Sequence, residues 1–312
     1  MILTRIHPNK SKEVFALSAT TAISSAAEYV NAPLFYKGKV REMYDLGEHF
    51  LMVTTDRISA FDYVLSPAVP DKGNVLNQLS AFWFKQTAAL MPNHVVHTDL
   101  EKLPAGLIKD ADVMKHRFTV SKKAQRIDIE CVVRGYITGG GWRQYQKTGE
   151  INGIKLPEGM RKNEKFPQPL FTPAAKNDAG HDEDISYERM EELVGKELAA
   201  ELREKSIRLY EFAHQFCAER GIILADTKFE FGLIDGKVIL IDEIFTPDSS
   251  RFWAKENYAY DIEIDGMDKE PVRTYLSGTG WDKNSEPDPL PAAVVEETSR
   301  RYRDILHRLT VG

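Results

Sequence analysis

The chain has 312 residues, of which 42% are hydrophobic, and a formal net charge of -6 at pH 7. This length allows a substantial core and predicts about two lobes at ~150 residues per domain, whereas the acidic balance argues against a broad nucleic-acid surface. The beginning of the chain shows no secretory pattern, and no apolar run approaches the ~18 residues that a membrane span needs. We therefore expect a cytoplasmic protein without nucleic-acid or membrane partners.

The first part of the chain predicts strands followed by a helix. Residues 40–44 and 50–55 have strand patterns on either side of a turn at 46–49, which indicates an antiparallel N-terminal sheet. Apolar residues recur at helical spacing over 76–90, and Pro92 follows them. We expect a helix there.

The second part predicts a connection and then helices. Residues 149–184 are rich in Gly, Pro and Asn, which favours a long irregular connection. Ser186 is the expected cap of one helix, and a second is predicted over 202–220. Residues from 254 onward are expected to wrap around the fold and to end in a helix after Pro291.

The two cysteines, Cys131 and Cys217, each lie inside an apolar stretch. They do not have the C-x-x-C spacing of a redox or metal pair. Buried free thiols in a reducing compartment are therefore favoured over a disulfide.

The most informative segment is 222–243, in which two strand patterns flank an Asp235-Gly236 turn signal. A two-residue loop would pair Phe229 with Asp242. A three-residue loop with a left-handed Gly236 would instead pair Phe229 with Ile241 and would keep one face of the hairpin apolar. We predict the second register.

The predicted register places Lys228, Glu230 and Asp242 on the opposite face of the hairpin. Two converging carboxylates repel each other unless a cation intervenes, and oxygen ligands suit Mg²⁺, which also takes phosphate oxygens from a nucleotide. Lys228 would then meet a phosphate. The alternative is an exposed hairpin face with a surface ion pair, and this segment alone does not decide between the two.

Two further segments carry basic residues beside glycines. Lys39 and Arg41 follow Gly38 in a predicted strand, where residues two apart share a face, so they form either a phosphate clamp or a solvated basic surface. Arg134 precedes three glycines and a helix predicted to begin near Trp142. The amides of a helix N-terminus bind anions, although a flexible loop has the same composition.

Polar loops near these segments have competing interpretations. Ser249, Ser250 and Arg251 follow the acidic hairpin closely and link an anion site to a metal site, unless Arg251 merely pairs with Asp248 in a capped turn. His181 stands beside two aspartates, but adjacent residues rarely converge on one ion. A solvated acidic loop is therefore favoured there.

Six segments occur in a fixed order between residues 36 and 253: G-K-V-R-E-M-Y-D, D-R-I-S-A-F-D, V-V-R-G-Y-I-T-G-G-G-W, F-T-P-A-A-K, A-D-T-K-F-E-F-G and D-E-I-F-T-P-D-S-S-R-F-W. This set resembles the motifs of the phosphoribosylaminoimidazole-succinocarboxamide synthases, or SAICAR synthetases. The resemblance implies a two-lobed α+β fold related to ATP-grasp and kinase-like nucleotide-binding folds. Residues 1–125 would form the nucleotide-binding lobe, and residues 126–312 would carry the metal and ribotide sites.

The activity that the resemblance implies is ligation of L-aspartate to carboxyaminoimidazole ribotide in purine synthesis, with ATP as co-substrate, Mg²⁺ as cofactor and an acyl phosphate as intermediate. Its motifs assign roles residue by residue. The residues expected to contact ATP are Lys39, Arg41, Glu130 and Lys228, and the expected metal ligands are Glu230 and Asp242. The expected substrate-binding residues are Ser59, Arg134, Gly140, Ser250 and Arg251, and those with expected catalytic roles are Asp62, Lys176 and Lys228. The family often has Ser where Gly140 stands.

Two other functions use similar features. A small-molecule kinase would have the same Mg·ATP clamp but would stop at phosphoryl transfer. A nucleotide-binding regulatory module would keep the basic clamp without needing Glu230 and Asp242. No Ser-His-Asp or Cys-His arrangement is recognisable in the sequence, so positioning and charge neutralisation are expected rather than covalent catalysis.

Overall fold

The computed structural model of the protein describes residues 22–177 and 182–311, so His181 lies outside the described residues. The strands are Leu34–Lys37 (β1), Arg41–Asp45 (β2), His49–Thr54 (β3), Ile58–Ala60 (β4), Tyr63–Leu65 (β5), Val95–His97 (β6), Phe118–Lys122 (β7), Gln125–Tyr136 (β8), Glu150–Ile151 (β9), Ile154–Lys155 (β10), Lys165–Phe171 (β11), Ala174–Ala175 (β12), Glu183–Asp184 (β13), Ile222–Ile234 (β14), Lys237–Ile241 (β15) and Ser250–Ala254 (β16). The helices are Lys72–Gln86 (α1), Ala111–Met114 (α2), Gly139–Thr148 (α3), Tyr187–Val194 (α4), Lys196–Ala218 (α5), Glu270–Gly278 (α6) and Ala292–Thr310 (α7). Helices beside antiparallel sheets confirm the predicted α+β class.

The first part of the chain forms a five-stranded sheet in the order β1-β2-β3-β7-β6. All of its pairings are antiparallel, which confirms the predicted N-terminal sheet. Leu51 and Val53 of β3 and Phe118 of β7 are fully buried in one apolar cluster of this sheet. This apolar layer fixes β2, which presents Arg41 at its start.

The second sheet is centred on β8 and β14. Its order is β13-β12-β8-β14-β15, with β11 also pairing with β8 and β16 with β14. Cys131 and Phe229 on these two strands belong to the same buried cluster as Leu209 and Cys217 of α5. Both cysteines are free and buried, as predicted. One face of the sheet is therefore core, and the opposite face is left for polar residues.

The register of the β14–β15 hairpin differs from the prediction. Ile234 pairs with Lys237, so the turn contains only Asp235 and Gly236, whose φ angles are 50° and 71°. Two successive left-handed residues make the tight turn whose twist suits antiparallel strands. The predicted three-residue loop was wrong because alternation selects a register only where one face is exposed, and residues 238–240 are all buried.

The segment predicted as an irregular connection, 149–184, contains regular pairing in its described residues. β9 pairs with β10, β11 with β8, and β12 with both β8 and β13. The pairing of β11 is interrupted between Lys165 and Leu170, where Pro167 and Pro169 cannot donate to a ladder. The prediction was wrong because the glycines and prolines mark turns between short strands.

The predicted helices are present with different bounds. α1 begins at Lys72 rather than at Leu76, and α5 begins at Lys196 rather than at 202. The cap of α4 is confirmed, because the Ser186 hydroxyl accepts a hydrogen bond from the Arg189 amide at 3.2 Å. In the part of the chain that the structure describes, no helix combines the length and apolarity of a membrane span.

The C-terminal segment packs against α1 through a buried polar contact. The fully buried Lys72 ammonium donates to Asp248 at 2.8 Å, and the Tyr302 hydroxyl of α7 donates to the same carboxylate at 2.6 Å. Removing one partner of a buried ion pair costs about 3–5 kcal/mol. This contact therefore fixes the loop before β16 relative to α1 and α7, and it occupies the acid that was considered as a partner for Arg251.

Candidate active site

Polar side chains lie along one face of β14. Residues two apart in a strand point to the same face, so Asp226, Lys228 and Glu230 form a line, which we call the polar row, while the residues between them are buried in the core. β8 places Arg134 opposite Asp226 and Glu130 opposite Glu230. At ~3.3 Å per residue, the two ends of the polar row are ~13 Å apart.

The Glu230 end of the polar row combines two carboxylates with two ammonium groups. Glu230 Oε1 accepts hydrogen bonds from Lys176 Nζ at 2.8 Å and from Lys228 Nζ at 3.1 Å. Glu130 Oε1 accepts a hydrogen bond from Lys228 and lies 3.7 Å from Lys176 Nζ. The structure therefore brings together four residues to which the motif resemblance assigned separate roles.

The neighbouring charges determine the protonation states of Glu230 and Lys228. Burial opposes ionisation of Glu230, but Lys228 and Lys176 lower its pKa to about 2. Burial also opposes the charge of Lys228, yet Glu230 and Glu130 raise the pKa of this lysine above its usual value. Lys228 therefore stays cationic and is suited to stabilising negative charge, not to removing a proton.

Arg41 reaches this region from the N-terminal sheet. Its Nη2 atom donates to Asp242 Oδ2 at 2.7 Å, and its Nη1 atom lies 3.0 Å from Glu243 Oε2. Asp242 has a φ angle of 64°, so the chain leaves the β15 ladder at this residue. Burial and the charges of Glu230 and Glu243 raise the pKa of Asp242 to about 6, although Arg41 opposes the shift.

Crowded carboxylates of this kind fit a divalent cation. Among the described residues, no group of three or more His, Cys, Asp or Glu side chains forms a complete metal cage. Mg²⁺ does not need one, since it is commonly held by one or two carboxylates together with substrate phosphates and water. The donors around Asp242 and Glu230 therefore suit Mg²⁺ that arrives with a nucleotide.

At the other end of the polar row, Asp226 lies between two arginines. It pairs in register with Arg134 of β8 and with Arg251 of β16. Arg251 Nη1 donates to Asp226 Oδ2, and Arg134 Nη1 lies 3.5 Å from the same oxygen. The Arg251 guanidinium also packs on Gly139, where a Cβ would lie 2.4 Å from Nη2. Two arginines beside the first amides of α3 present donors of the kind that bind anions.

The local structure at two residues predicted to contact the ribotide, Gly140 and Ser250, differs from the expected one. α3 begins at Gly139 rather than near Trp142, so Gly140 lies in its first turn, and the nearest atom to a Cβ added there is 3.8 Å away. Ser250 pairs with Thr227, and their hydroxyl oxygens are 2.8 Å apart. Since neighbouring residues of a strand point to opposite faces, the Ser250 hydroxyl points away from the arginine pair.

Lys39 and Asp62 meet outside the polar row. Lys39 lies in the connection between β1 and β2, so the prediction that it shares a strand face with Arg41 was wrong. Its ammonium donates to the Asp62 carboxylate, at the turn between β4 and β5. On the same hairpin, the Ser59 carbonyl accepts a hydrogen bond from Lys269 Nζ at 3.2 Å.

Two acids of the site, Asp226 and Glu243, are absent from the set predicted from the sequence. A signal for Asp226 exists, because it continues the two-residue spacing of Lys228 and Glu230. Glu243 carries no comparable signal, since its approach to Arg41 depends on the left-handed backbone of Asp242.

Comparison with known proteins covers the whole of this site. A family model described as SAICAR synthetase matches residues 34–288. The phosphoribosylaminoimidazole-succinocarboxamide synthase of Elusimicrobium minutum is 48% identical over 287 residues, which is 91% of this chain and 98% of that protein. The protein of the same name from Pelobacter propionicus is 45% identical over 284 residues, covering 91% of this chain and 96% of its own length.

A solved structure gives the same result. The SAICAR-synthase from Saccharomyces cerevisiae, complexed with SAICAR, is 36% identical, with a TM-score of 0.82 over 95% of this chain and 99% of that chain. The motif resemblance is thereby confirmed. The chain belongs to the SAICAR synthetase family, whose members are ATP-dependent carbon–nitrogen ligases that use aspartate in purine biosynthesis.

Proposed function

We propose that this protein joins L-aspartate to the carboxylate of carboxyaminoimidazole ribotide, with Mg·ATP, through an acyl phosphate. The observation that carries the proposal is the polar row, with an arginine end and an acidic end ~13 Å apart on one strand face. A ribotide held by its phosphate at Arg134 and Arg251 would extend its carboxylate toward Glu230. ATP phosphates would meet it there.

The chemistry requires activation of the ribotide carboxylate, because an amine cannot expel oxide from it. A carboxylate oxygen attacks the γ-phosphorus of ATP, the bond to the ADP oxygen breaks, and an acyl phosphate forms. The aspartate amine then attacks the acyl carbon, phosphate leaves with the electrons of the C–O bond, and the nitrogen loses a proton. The protein contributes positioning and charge neutralisation to both steps.

Each cation near the acidic end has a role in this scheme. Lys228 and Lys176 would neutralise the transferring phosphoryl group, and Glu130 holds Lys228 in place. Arg41 would orient Asp242, and Lys39 would contact the phosphates from the β1–β2 connection. Glu230 and Asp242 are the residues that would hold Mg²⁺, which when bound offsets the charge of the ATP phosphates.

Two further predictions belong to this proposal. The lobe boundary would fall near residue 125, where β7 has ended at Lys122 and β8 begins at Gln125. A cytoplasmic location is supported by the buried, unpaired Cys131 and Cys217, because cytosolic thiols are kept reduced.

Product analysis tests the reaction. With ATP, Mg²⁺ and the carboxylated ribotide, we expect rapid ADP release only when L-aspartate is also present. A kinase would release ADP without aspartate and leave a stable phosphorylated product, and a regulatory module would release none.

Isotope transfer tests the intermediate. If the ribotide carboxylate carries ¹⁸O, the acyl-phosphate route delivers one labelled oxygen to inorganic phosphate. Unlabelled phosphate at full turnover would contradict this route.

A further inference from the structure

The turn between β4 and β5 has an unusual backbone. Ala60 pairs with Tyr63, so Phe61 and Asp62 form a two-residue turn, and their φ angles are 49° and 68°. Such turns favour Asn and Gly, because a bulky side chain at positive φ is strained. A strained turn persists only when surrounding contacts hold it.

The contacts that hold this turn come from the C-terminal segment. The Trp281 ring lies edge-on to Tyr63, with centroids 5.2 Å apart at 77°, and to Phe61, with centroids 6.0 Å apart at 67°. The Lys283 ammonium lies 4.3 Å from the centre of the Phe61 ring. The Trp281 indole N–H donates to the Ser285 carbonyl at 2.9 Å, which fixes the tryptophan in turn.

The apolar layer beneath the hairpin comes from the same part of the chain. Ile58 and Leu65 of the hairpin are buried in one cluster with Val272 and Leu276 of α6 and Leu290. The hairpin forms a two-stranded sheet of its own. Its orientation therefore depends on the C-terminal segment.

The turn brings the Asp62 carboxylate to Lys39, the residue of the β1–β2 connection that the proposed function places on the ATP phosphates. The Asp62 carboxylate accepts a hydrogen bond from Lys39. Arg57, just before β4, donates from Nε to the Lys39 carbonyl at 3.0 Å and from Nη2 to the Gly38 carbonyl at 2.9 Å. The hairpin and the glycine-bearing connection are thus held as one unit, with the strained turn at its tip.

We propose that Trp281 is a positioning residue for the ligase reaction, because it holds the Phe61-Asp62 turn in the conformation that presents Asp62 beside Lys39. The inference rests on the proposed function, in which Lys39 contacts the ATP phosphates, and on the catalytic role that the family motifs imply for Asp62. It adds to that proposal a residue about two hundred positions away in sequence, which acts through Asp62 and does not touch a substrate.

The test compares Trp281→Ala, Trp281→Phe, Asp62→Ala and the double variant Trp281→Ala/Asp62→Ala. kcat and KM are measured for ATP, ribotide and aspartate in turn. We expect Trp281→Ala to lower kcat/KM about tenfold with the same substrate profile as Asp62→Ala, from loss of two aromatic pairs. Trp281→Phe should recover most of the activity. The double variant should be no worse than Asp62→Ala, because both changes remove one function.

A matched control and a second variant keep the test decisive. Tyr260→Ala removes a partly exposed aromatic ring of the C-terminal segment that contacts Tyr258 and Arg161, and it should leave the kinetics unchanged. Should Trp281→Ala fail to fold, Phe61→Ala removes the ring contact from the hairpin side while keeping a Cβ at a positive φ, so the turn stays strained without its aromatic support. It should show the Asp62→Ala profile.

The outcomes separate the two proposals. Normal kinetics in both Trp281→Ala and Phe61→Ala, alongside a defective Asp62→Ala, would overturn the positioning role and leave the role of Asp62 intact. Additive losses in the double variant would also overturn it, since they would indicate a general structural effect. Normal kinetics in Asp62→Ala would remove the implied catalytic role of Asp62 and the inference with it, whereas the proposed reaction itself fails only if ADP release does not depend on L-aspartate.

Discussion

Arg41 and Asp242 are 201 residues apart in sequence and are joined by a 2.7 Å hydrogen bond. The same guanidinium lies 3.0 Å from Glu243. Arg41 belongs to the N-terminal sheet and both acids follow β15. These two contacts of Arg41, which we call the arginine fork, therefore connect the two sheets at the candidate nucleotide site. A planar guanidinium can serve both carboxylates at once, which a single ammonium cannot do in the same geometry.

Arg41→Lys is therefore expected to impair ATP use although it keeps the charge. Loss of one charge-assisted hydrogen bond, at roughly 1.5–3 kcal/mol, predicts a ten- to hundredfold lower kcat/KM for ATP, measured by ADP release. Arg189→Lys is the matched control, because Arg189 pairs with Glu192 on the exposed side of α4. Unchanged ATP kinetics in Arg41→Lys would remove the arginine fork from the mechanism.

Two adjacent glycines at the start of α3 should respond oppositely to serine. Gly139 has a φ of 54°, and a Cβ there would lie 2.4 Å from Arg251 Nη2, whereas a Cβ at Gly140 would have its nearest neighbour 3.8 Å away. Gly139→Ser should displace Arg251 and weaken ribotide binding at least tenfold. Gly140→Ser should bind the ribotide as tightly as the parent or more tightly, because it adds a hydroxyl at the helix N-terminus. Titration calorimetry with the ribotide measures both, and equal losses would contradict this placement of the anion site.

The sequence predicted local elements better than their pairing. The strands on either side of Asp235-Gly236 and the Ser186 cap follow from turn and capping chemistry, which acts over a few residues. The hairpin register did not follow, because burial of both faces of β15 removes the alternation that selects a register. Partners distant in sequence, such as Glu243 for Arg41, depend on how the sheets pack.

Asp268 gives a prediction for stability. Its carboxyl is 1% exposed, and its Oδ2 atom has no hydrogen-bond partner among the described residues. Burial raises the pKa of Asp268 to about 6, with Arg273 opposing. Because the folded-state pKa exceeds the unfolded value of about 3.9, the folded state binds the proton more tightly, and stability is lost as pH rises from about 4 to about 6.

Asp268→Asn should remove this loss. The free energy of unfolding of the variant, relative to the parent, should increase by roughly 2 kcal/mol between pH 4 and pH 7. Urea unfolding at the two pH values measures it. Taking the variant-minus-parent difference in the free energy of unfolding at both pH values removes any pH-independent effect of the amide. A difference that is the same at pH 4 and pH 7 would contradict the prediction.

In the proposed function, Glu230 and Asp242 hold the Mg²⁺ that accompanies ATP. Titration calorimetry of ATP at increasing Mg²⁺ tests it directly on the parent, Glu230→Gln, Asp242→Asn and the control Glu192→Gln, which alters an exposed acid of α4. Thermal unfolding confirms first that each variant is folded. This control is needed because Glu230 also balances the positive charges of Lys176 and Lys228. We expect Mg²⁺ to strengthen ATP binding by the parent and the control but not by the two site variants. The same Mg²⁺ dependence in all four proteins would contradict the account.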